Sequence, residues 1–411
     1  MKSIIYIILI LTAGATQAQT LEEYQQMAAE NNPGLKATHK AFEAALEQVS
    51  QASGLQDPNL TVSAFGQMIE TRVGPQKARF SLSQMFPWFG TLKAQGHVAA
   101  LMAESKYQAF LDERNRLYYQ VAAAYYPLYE LNAFKTIEAE NIRLLESYKA
   151  IATAKFSSGS GTMVDVLRVD IMLQSANTRL TILDKEEASL KTTFNNLLNR
   201  DIGEDIVVID SLAVDDALNA GDSLPTTHPR IAELELKIEG SQAAEHAARK
   251  QGLPKLGVGV DYIIVGERTD LAAGAAPPAD NGKDAIMPMV SVSLPVFRKK
   301  YRAAVKEAQL TQESYAFQKQ ATVNALATDY EVTRFELAQQ RELIGLYEAQ
   351  AVQTDRMMQL LFTAYSNSEA DFEEVLATQQ QLLQYRKMKV EAAAAYQAAL
   401  AKLYYVTAKV Y

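Results

Sequence analysis

The stretch NPGLKATHKAFEAALEQVSQASGLQDPNL (residues 32–60) returns as HPRIAELELKIEGSQAAEHAARKQGLPKL (residues 228–256). Each copy places one proline at the head of a helical pattern and a second where an alternating strand opens. Both prolines shift by 196 residues (229 − 33 and 254 − 58). Further on, FSSGSGTMVDVL (156–167) returns as YSNSEADFEEVL (365–376), a shift of 209 (365 − 156). The chain thus holds two copies of one helix–hairpin–helix unit, an internal two-fold repeat. The offset grows by 13 (209 − 196) between the second proline and the tip motif, so the second copy carries an insertion there. Duplication at this scale points to a pseudo-symmetric assembly rather than an enzyme with one asymmetric cleft.

The strands follow from the prolines outward. After Asp57-Pro58, Leu60, Val62, Ala64, Gly66 and Met68 alternate with Thr61, Ser63 and Phe65. Gly74-Pro75 is a turn. Ala78, Phe80 and Leu82 then alternate with Arg79, Ser81 and Ser83 in a return strand ended by Pro87-Trp88-Phe89-Gly90. In the second copy Leu256, Val258, Val260, Tyr262 and Ile264 alternate with Gly257, Gly259, Asp261 and Ile263. A loop rich in Ala, Gly, Pro and Asp (268–284) holds the insertion. Val290, Val292, Leu294 and Val296 form the return strand, ended by Pro295 and Phe297. The hairpins are therefore expected over 59–85 and 255–297. Strands of about ten residues suit a tilted outer-membrane β-strand. Four strands alone would leave edge N–H and C=O groups unpaired in hydrocarbon, so closure needs several chains, each donating two hairpins.

Between and after the hairpins the sequence turns helical. Leu21–Asn32 and Leu35–Gly54 read as helices, with Pro33 near the start of the second. Thr91–Lys155 contains one proline and one glycine and makes a helix of about 95–100 Å at about 1.5 Å per residue. Leu117, Val121, Ala124, Leu128 and Leu131 form a 4-3-4-3 coiled-coil seam, and Pro127 should bend the helix locally. Arg298–Ala364 matches it, with Val323, Leu326, Tyr330, Leu337, Ile344, Tyr347 and Ala351 on the seam. After short turns, helices Met163–Asn199 and Phe372–Ala408 return. The expected organisation is a first repeat at 19–200 with its long helix pair at 91–199, a polar connector at 201–224, and a second repeat at 225–411 with its pair at 298–408. Helices this long must project away from the membrane.

Residues 1–18 read as a secretory signal: Lys2, the apolar core Ile4–Leu11, and the small-residue site Thr16-Gln17-Ala18. The chain contains no cysteine, which removes disulfides, thiolate metal sites, a cysteine nucleophile and a lipid-anchored N-terminal cysteine. The formal charge is −8, with acids and bases intermixed, so no basic stripe marks a nucleic-acid partner. The four histidines (His39, His97, His228 and His246) are scattered without metal-ligand spacing, and no nucleotide-binding or catalytic motif appears. No cofactor and no enzymatic activity are expected.

These features together resemble the outer-membrane efflux protein (TolC) family. The residues carrying the resemblance are the paired segments quoted above, SLSQMFPWFG and SVSLPVFRKKY after the hairpins, and GSGTMVDVL and SEADFEEVL after the helix tips. It covers Leu21–Val410. It implies a homotrimer: a 12-stranded β-barrel in the outer membrane, continuous with a coiled-coil α-helical barrel in the periplasm. The implied function is the exit channel of a tripartite efflux pump or type I secretion system. Its partners would be outer-membrane lipid, a periplasmic adaptor protein and an inner-membrane pump that supplies the energy. A periplasmic coiled-coil adaptor is the alternative; two hairpins with proline-aromatic ends distinguish the channel from it. The resemblance further places Asp165, Tyr365 and Glu374 at a periplasmic gate, with Ala377 where many relatives carry a second acid. Against this stands plain helix-dipole compensation by Asp165, Glu373 and Glu374. The tips Ser158, Gly159, Gly161, Asn367, Ser368 and Glu369 are expected to dock the adaptor. Phe86, Trp88, Phe89 and Phe297, where strand meets helix, are expected at the membrane interface.

Overall fold

The computed structural model describes residues 20–212, 228–272, 274–367 and 369–409. The signal reading (1–18), the later part of the connector and Ser368 lie outside them. The elements are α1 (Leu21–Asn31), α2 (Pro33–Ser53), β1 (Asn59–Ile69), β2 (Gln76–Phe86), α3 (Thr91–Ser157), α4 (Met163–Leu198), α5 (Pro229–Gln251), β3 (Lys255–Val265), β4 (Ala285–Ser293), α6 (Arg298–Ser366) and α7 (Phe372–Val406). β3 opens 196 residues after β1 (255 − 59), and β4 opens 209 after β2 (285 − 76). The hairpin loops run over 70–75 and 266–284. They differ by 13 residues (19 − 6), the same as the growth in sequence offset.

Chain contacts group the molecule into two compact units that cut across the sequence repeats. One comprises residues up to 36, 112–228 and 325–411; the other comprises 37–111 and 229–324. The second unit contains all four strands, in the antiparallel order β1-β2-β3-β4. Hairpins distant in sequence thus pair through β2 and β3, from Gln76↔Val265 to Phe86↔Leu256. The second return strand differs from its expected span. It begins at Ala285 and stops at Ser293, leaving Leu294 and Val296 in the connection to α6. The reason is register: Ser293 pairs with Lys255, the first residue of β3, so the residue next in line with Leu294 is Pro254, and neither Pro254 nor Pro295 has an N–H to offer the ladder. Within the single chain β4 is an edge strand, a position where a proline such as Pro288 removes no ladder bond to β3 if its missing N–H faces outward.

In the first unit, an aromatic core joins three helices. The buried Tyr24 of α1 meets Phe194 of α4 edge-on at 5.0 Å and Tyr125 of α3 at 6.1 Å. The two tyrosines also fix the start of the connector. Val207 N–H donates to the Tyr24 hydroxyl at 2.9 Å, and Ile209 N–H to that of Tyr125 at 3.0 Å. Asn195 donates to the carbonyls of Ile202 and Glu204. This packing widens the expected α3 seam. Leu117, Val121, Leu128 and Leu131 are buried, but so are Ala122, Tyr125, Tyr126 and Tyr129, while Ala124 is only half-buried. α1 and α4 approach through Tyr125, and α7 through Tyr405 stacked on Tyr119 at 6.1 Å, so α3 is covered on more than one side. α6 keeps the narrower pattern: Leu326, Tyr330, Thr333 and Leu337 are buried at 4-3-4 spacing. Pro127 lies within α3 without ending it.

A buried polar chain crosses from α3 to α7. Lys387 pairs with Glu138, which is 1% exposed. Asn141 donates to Glu138 at 3.4 Å, and Gln379 donates to Asn141 at 3.3 Å. Lys387→Met leaves the Glu138 charge buried alone and is expected to cost about 3–5 kcal/mol, whereas the double change with Glu138→Leu recovers most of that loss. Denaturant midpoints followed by circular dichroism decide it; equal losses in single and double variants would refute the pairing.

Candidate functional site

Two regions carry the expected site residues, one in each unit. In the sheet, the pairing register lines up side chains across all four strands. Leu60 stands opposite Leu82, Leu82 opposite Val260, and Val260 opposite Pro288. One step along, Val62, Phe80, Tyr262 and Ile286 are aligned in the same way. Nearer the other end of the hairpins lie Val258 with Val290, and Leu256 with Val292. Because side chains alternate across a strand, these residues form one face, and most are exposed. The row between them reads Thr61, Ser81, Asp261 and Met287, so polar groups lie on the opposite face. Asp261 there is 3% exposed and faces Arg79, with Nε to Oδ2 at 3.8 Å. A continuous apolar face in contact with solvent is unfavourable in water; it matches the lipid-facing side of an outer-membrane sheet.

The strand ends add aromatic groups. Phe89 is 79% and Phe297 83% exposed, and Phe86 and Trp88 are also exposed. Trp88 and Phe89 lie edge to face at 6.1 Å. Exposed rings where an apolar strand meets a polar helix suit the membrane–water boundary.

At the helix tips, chain reversals recur at the same offset. Ser160 N–H donates to Lys155 C=O at 2.9 Å, and Glu369 N–H to Ala364 C=O at 2.8 Å, each closing the last helical turn. Gly159 has φ +77°, a conformation glycine adopts without penalty. A Cβ on Gly161 would come within 2.9 Å of the Lys155 Cβ, so the first tip is also sterically tight. Ser158, Asn367 and Glu369 are exposed.

The three expected gate residues have different settings. Asp165 completes a capping box with Thr162: its carboxylate accepts from the Thr162 hydroxyl at 2.8 Å, and its own N–H donates to Thr162 Oγ1 at 3.3 Å. Capping therefore accounts for an acid at this position by itself. Tyr365 is buried with Leu145, Tyr148, Val169, Phe372 and Val375. Its ring stacks on Phe372 at 4.7 Å and lies under the Lys155 ammonium at 4.1 Å. Burial, reinforced by the Asp165 charge, pushes the Tyr365 phenol up from its ordinary value. Its hydroxyl is buried with no hydrogen-bond partner among the described residues. Glu374 is exposed in the first turn of α7. The structure thus brings Asp165 and Tyr365 together but not Glu374 with them. It is Glu373 that ties the helices, through Arg168 of α4 at 2.8 Å; Arg168 alone, about one helical turn past Asp165, gives no pairing signal in the sequence. Among the described residues no group of three or more His, Asp or Glu could hold a metal ion, and no helix is long and apolar enough to cross a membrane.

A model of the outer membrane efflux protein family matches residues 24–198. The first repeat carries that family's signature. The whole fold agrees with it. The outer-membrane channel OprN superposes with a TM-score of 0.77 at 17% identity, covering 94% of this chain and 89% of that one. VceC, an outer membrane protein of Vibrio cholerae, gives 0.75 at 14% identity over 94% and 95%. CusC, whose structures concern transmembrane channel formation, gives 0.74 at 18% over 94% and 91%. At these identities the likeness is one of fold. A search of curated proteins gave no match. The TolC-type resemblance read from the sequence agrees with the family model over residues 24–198 and with the fold, which is mainly helical with four antiparallel strands.

The facing of the sheet is directly testable. Val260→Arg is expected to cost about 2–4 kcal/mol near the bilayer midplane and less near an interface. Thr61→Arg, on the opposite face, is expected to be tolerated. Folding into lipid vesicles, read by heat-modifiable gel migration, measures both; greater loss from Thr61→Arg would reverse the assignment.

Proposed function

We propose that three copies of this chain close into a 12-stranded barrel in the outer membrane and form an export channel, with the long helices in the periplasm. The observation that supports it most is the sheet: one continuous apolar face, with β1 and β4 each paired on one side only. Closure in lipid requires those edges to meet edges of other chains. The helices offer further contact area. Leu167 and Ile171 on α4, and Phe317, Phe335 and Leu360 on α6, are exposed and suit packing against neighbouring protomers.

Cargo moves from an inner-membrane pump, through a periplasmic adaptor, to the outside, and the pump supplies the energy. Ser158, Gly159, Gly161, Asn367 and Glu369 dock the adaptor, and Ser368 belongs to the same turn by sequence. Glu374 is the gate acid most exposed for contact with passing ions. Asp165 keeps the tip folded through its cap, and Tyr365 packs beneath it.

Two measurements test this reading. Detergent-solubilised protein from the outer-membrane fraction should have a trimeric mass by light scattering; a monomer or dimer would sink the proposal. Three Glu374 side chains at a narrow mouth attract cations, so Glu374→Ala should weaken cation selectivity in planar bilayers. The difference should fade from 0.1 M to 1 M salt, as the screening length falls from about 10 Å to about 3 Å. Unchanged selectivity at low salt would leave Glu374 as a helix-end acid only.

A further inference from the structure

The head of α3 has an unusual electrostatic setting. The first N–H groups of a helix carry partial positive charge that acidic side chains ordinarily offset. Neither α3 nor α6 has an acid in its first turn, and α6 opens with Arg298-Lys299-Lys300. Just before α3, the Lys250 ammonium lies 2.7 Å from where a Cβ on Gly90 would stand, resting on the backbone that enters the helix. Lys250, Lys255 and Lys300 line one pocket of about 520 Å³ together with Trp88 and Thr91, and no carboxylate lines it. None of the three lysines makes an ion pair among the described residues. Thr91 is 3% exposed, and its hydroxyl has no hydrogen-bond partner among the described residues. An orphaned buried hydroxyl is a costly exception in a folded protein.

Three lysine side chains, a positive helix end and a hydroxyl without a partner among the described residues therefore line a pocket to which no described carboxylate contributes. We propose that this pocket binds a phosphate group, carried in the membrane by a lipid headgroup. The lipid assignment rests on the reading of the sheet as membrane-embedded. The pocket includes the end of the β2–α3 connection beside the exposed Phe89, the level at which headgroups would lie. Phosphate suits the donors: ammonium groups form charge-assisted bonds to its oxygens, the helix end is a ready anion site, and the Thr91 hydroxyl can donate.

Trp88 is the only tryptophan of the chain, so its fluorescence reports the pocket. Full-length protein in non-ionic detergent is titrated with dihexanoyl phosphatidylglycerol and, separately, with inorganic phosphate. The lipid should give a saturable change in Trp88 emission, weakened about tenfold or more in Lys250→Gln/Lys300→Gln and about threefold or more in the near-isosteric Thr91→Val. Rising salt should weaken binding. A saturable response to inorganic phosphate with none to the lipid would overturn the lipid assignment. No response to either, or one unchanged in the double variant, would overturn the site. Trimeric mass and outer-membrane fractionation of the same proteins report the channel reading independently. Intact trimers without lipid binding refute this inference alone, and lipid binding by a non-trimeric protein refutes the channel reading alone.

Discussion

A backbone N–H or C=O group facing hydrocarbon without a partner costs several kcal/mol, and the sheet of this chain ends in two strands, β1 and β4, each paired on one side only. The remaining features answer that constraint. Pairing β2 with β3 over ten residue pairs, from Gln76↔Val265 to Phe86↔Leu256, removes two edges within the chain and leaves two. The duplicated sequence supplies both hairpins. Strand length follows from the same requirement: β1, β2 and β3 are 11 residues long, enough for a tilted strand to cross the hydrocarbon. The apolar row Leu60, Leu82, Val260 and Pro288 then follows from register, because shifting β1, β2 or β3 by one residue would present Thr61, Ser81 or Asp261 in its place.

The helices solve a different problem. A 69-residue helix such as α6 cannot be stabilised by propensity alone and needs a packed face along its length. α6 supplies a narrow seam at Leu326, Tyr330, Thr333 and Leu337 and leaves Phe335 and Leu360 exposed. α3 instead is buried on more than one side between residues 117 and 131, where tyrosines fill the space between three helices. The polar chain Lys387–Glu138–Asn141–Gln379 within this packing contributes pairing specificity more than net stability, since burying the charges offsets much of their attraction.

Much of the fold was legible because it repeats. Prolines at offset 196 located α2, α5, β1 and β3, and the tip motifs at offset 209 placed the insertion in the second hairpin loop. The end of β4 was not legible: Val290, Val292, Leu294 and Val296 alternate without a break, and only the start of β3 at Lys255 ends the pairing. The single α3 seam was also incomplete, because heptad spacing does not reveal helices arriving from several sides. At the tip, the pattern Thr162-x-x-Asp165 carries a capping signal, but the pairing of Arg168 with Glu373 depends on two helices from different repeats lying side by side.

The tip shows how one acid can serve stability while another remains available for function. Asp165 spends its carboxylate on the Thr162 cap and shifts the phenol of Tyr365; its charge is tied to local folding. Glu373 is held by Arg168. Asp371 at the α7 N-cap makes no side-chain cap bond, and Glu374 is exposed in the same first turn. Acids at α7 thus exceed those its local structure engages. In the trimer proposed above that excess recurs in each chain, and each repetition raises the repulsion that contacts such as Lys155 over the Tyr365 ring must offset. In the proposed gate, cation–ring and helix-end contacts within each chain act against like charges between chains, and screening by salt weakens the repulsive side of that balance.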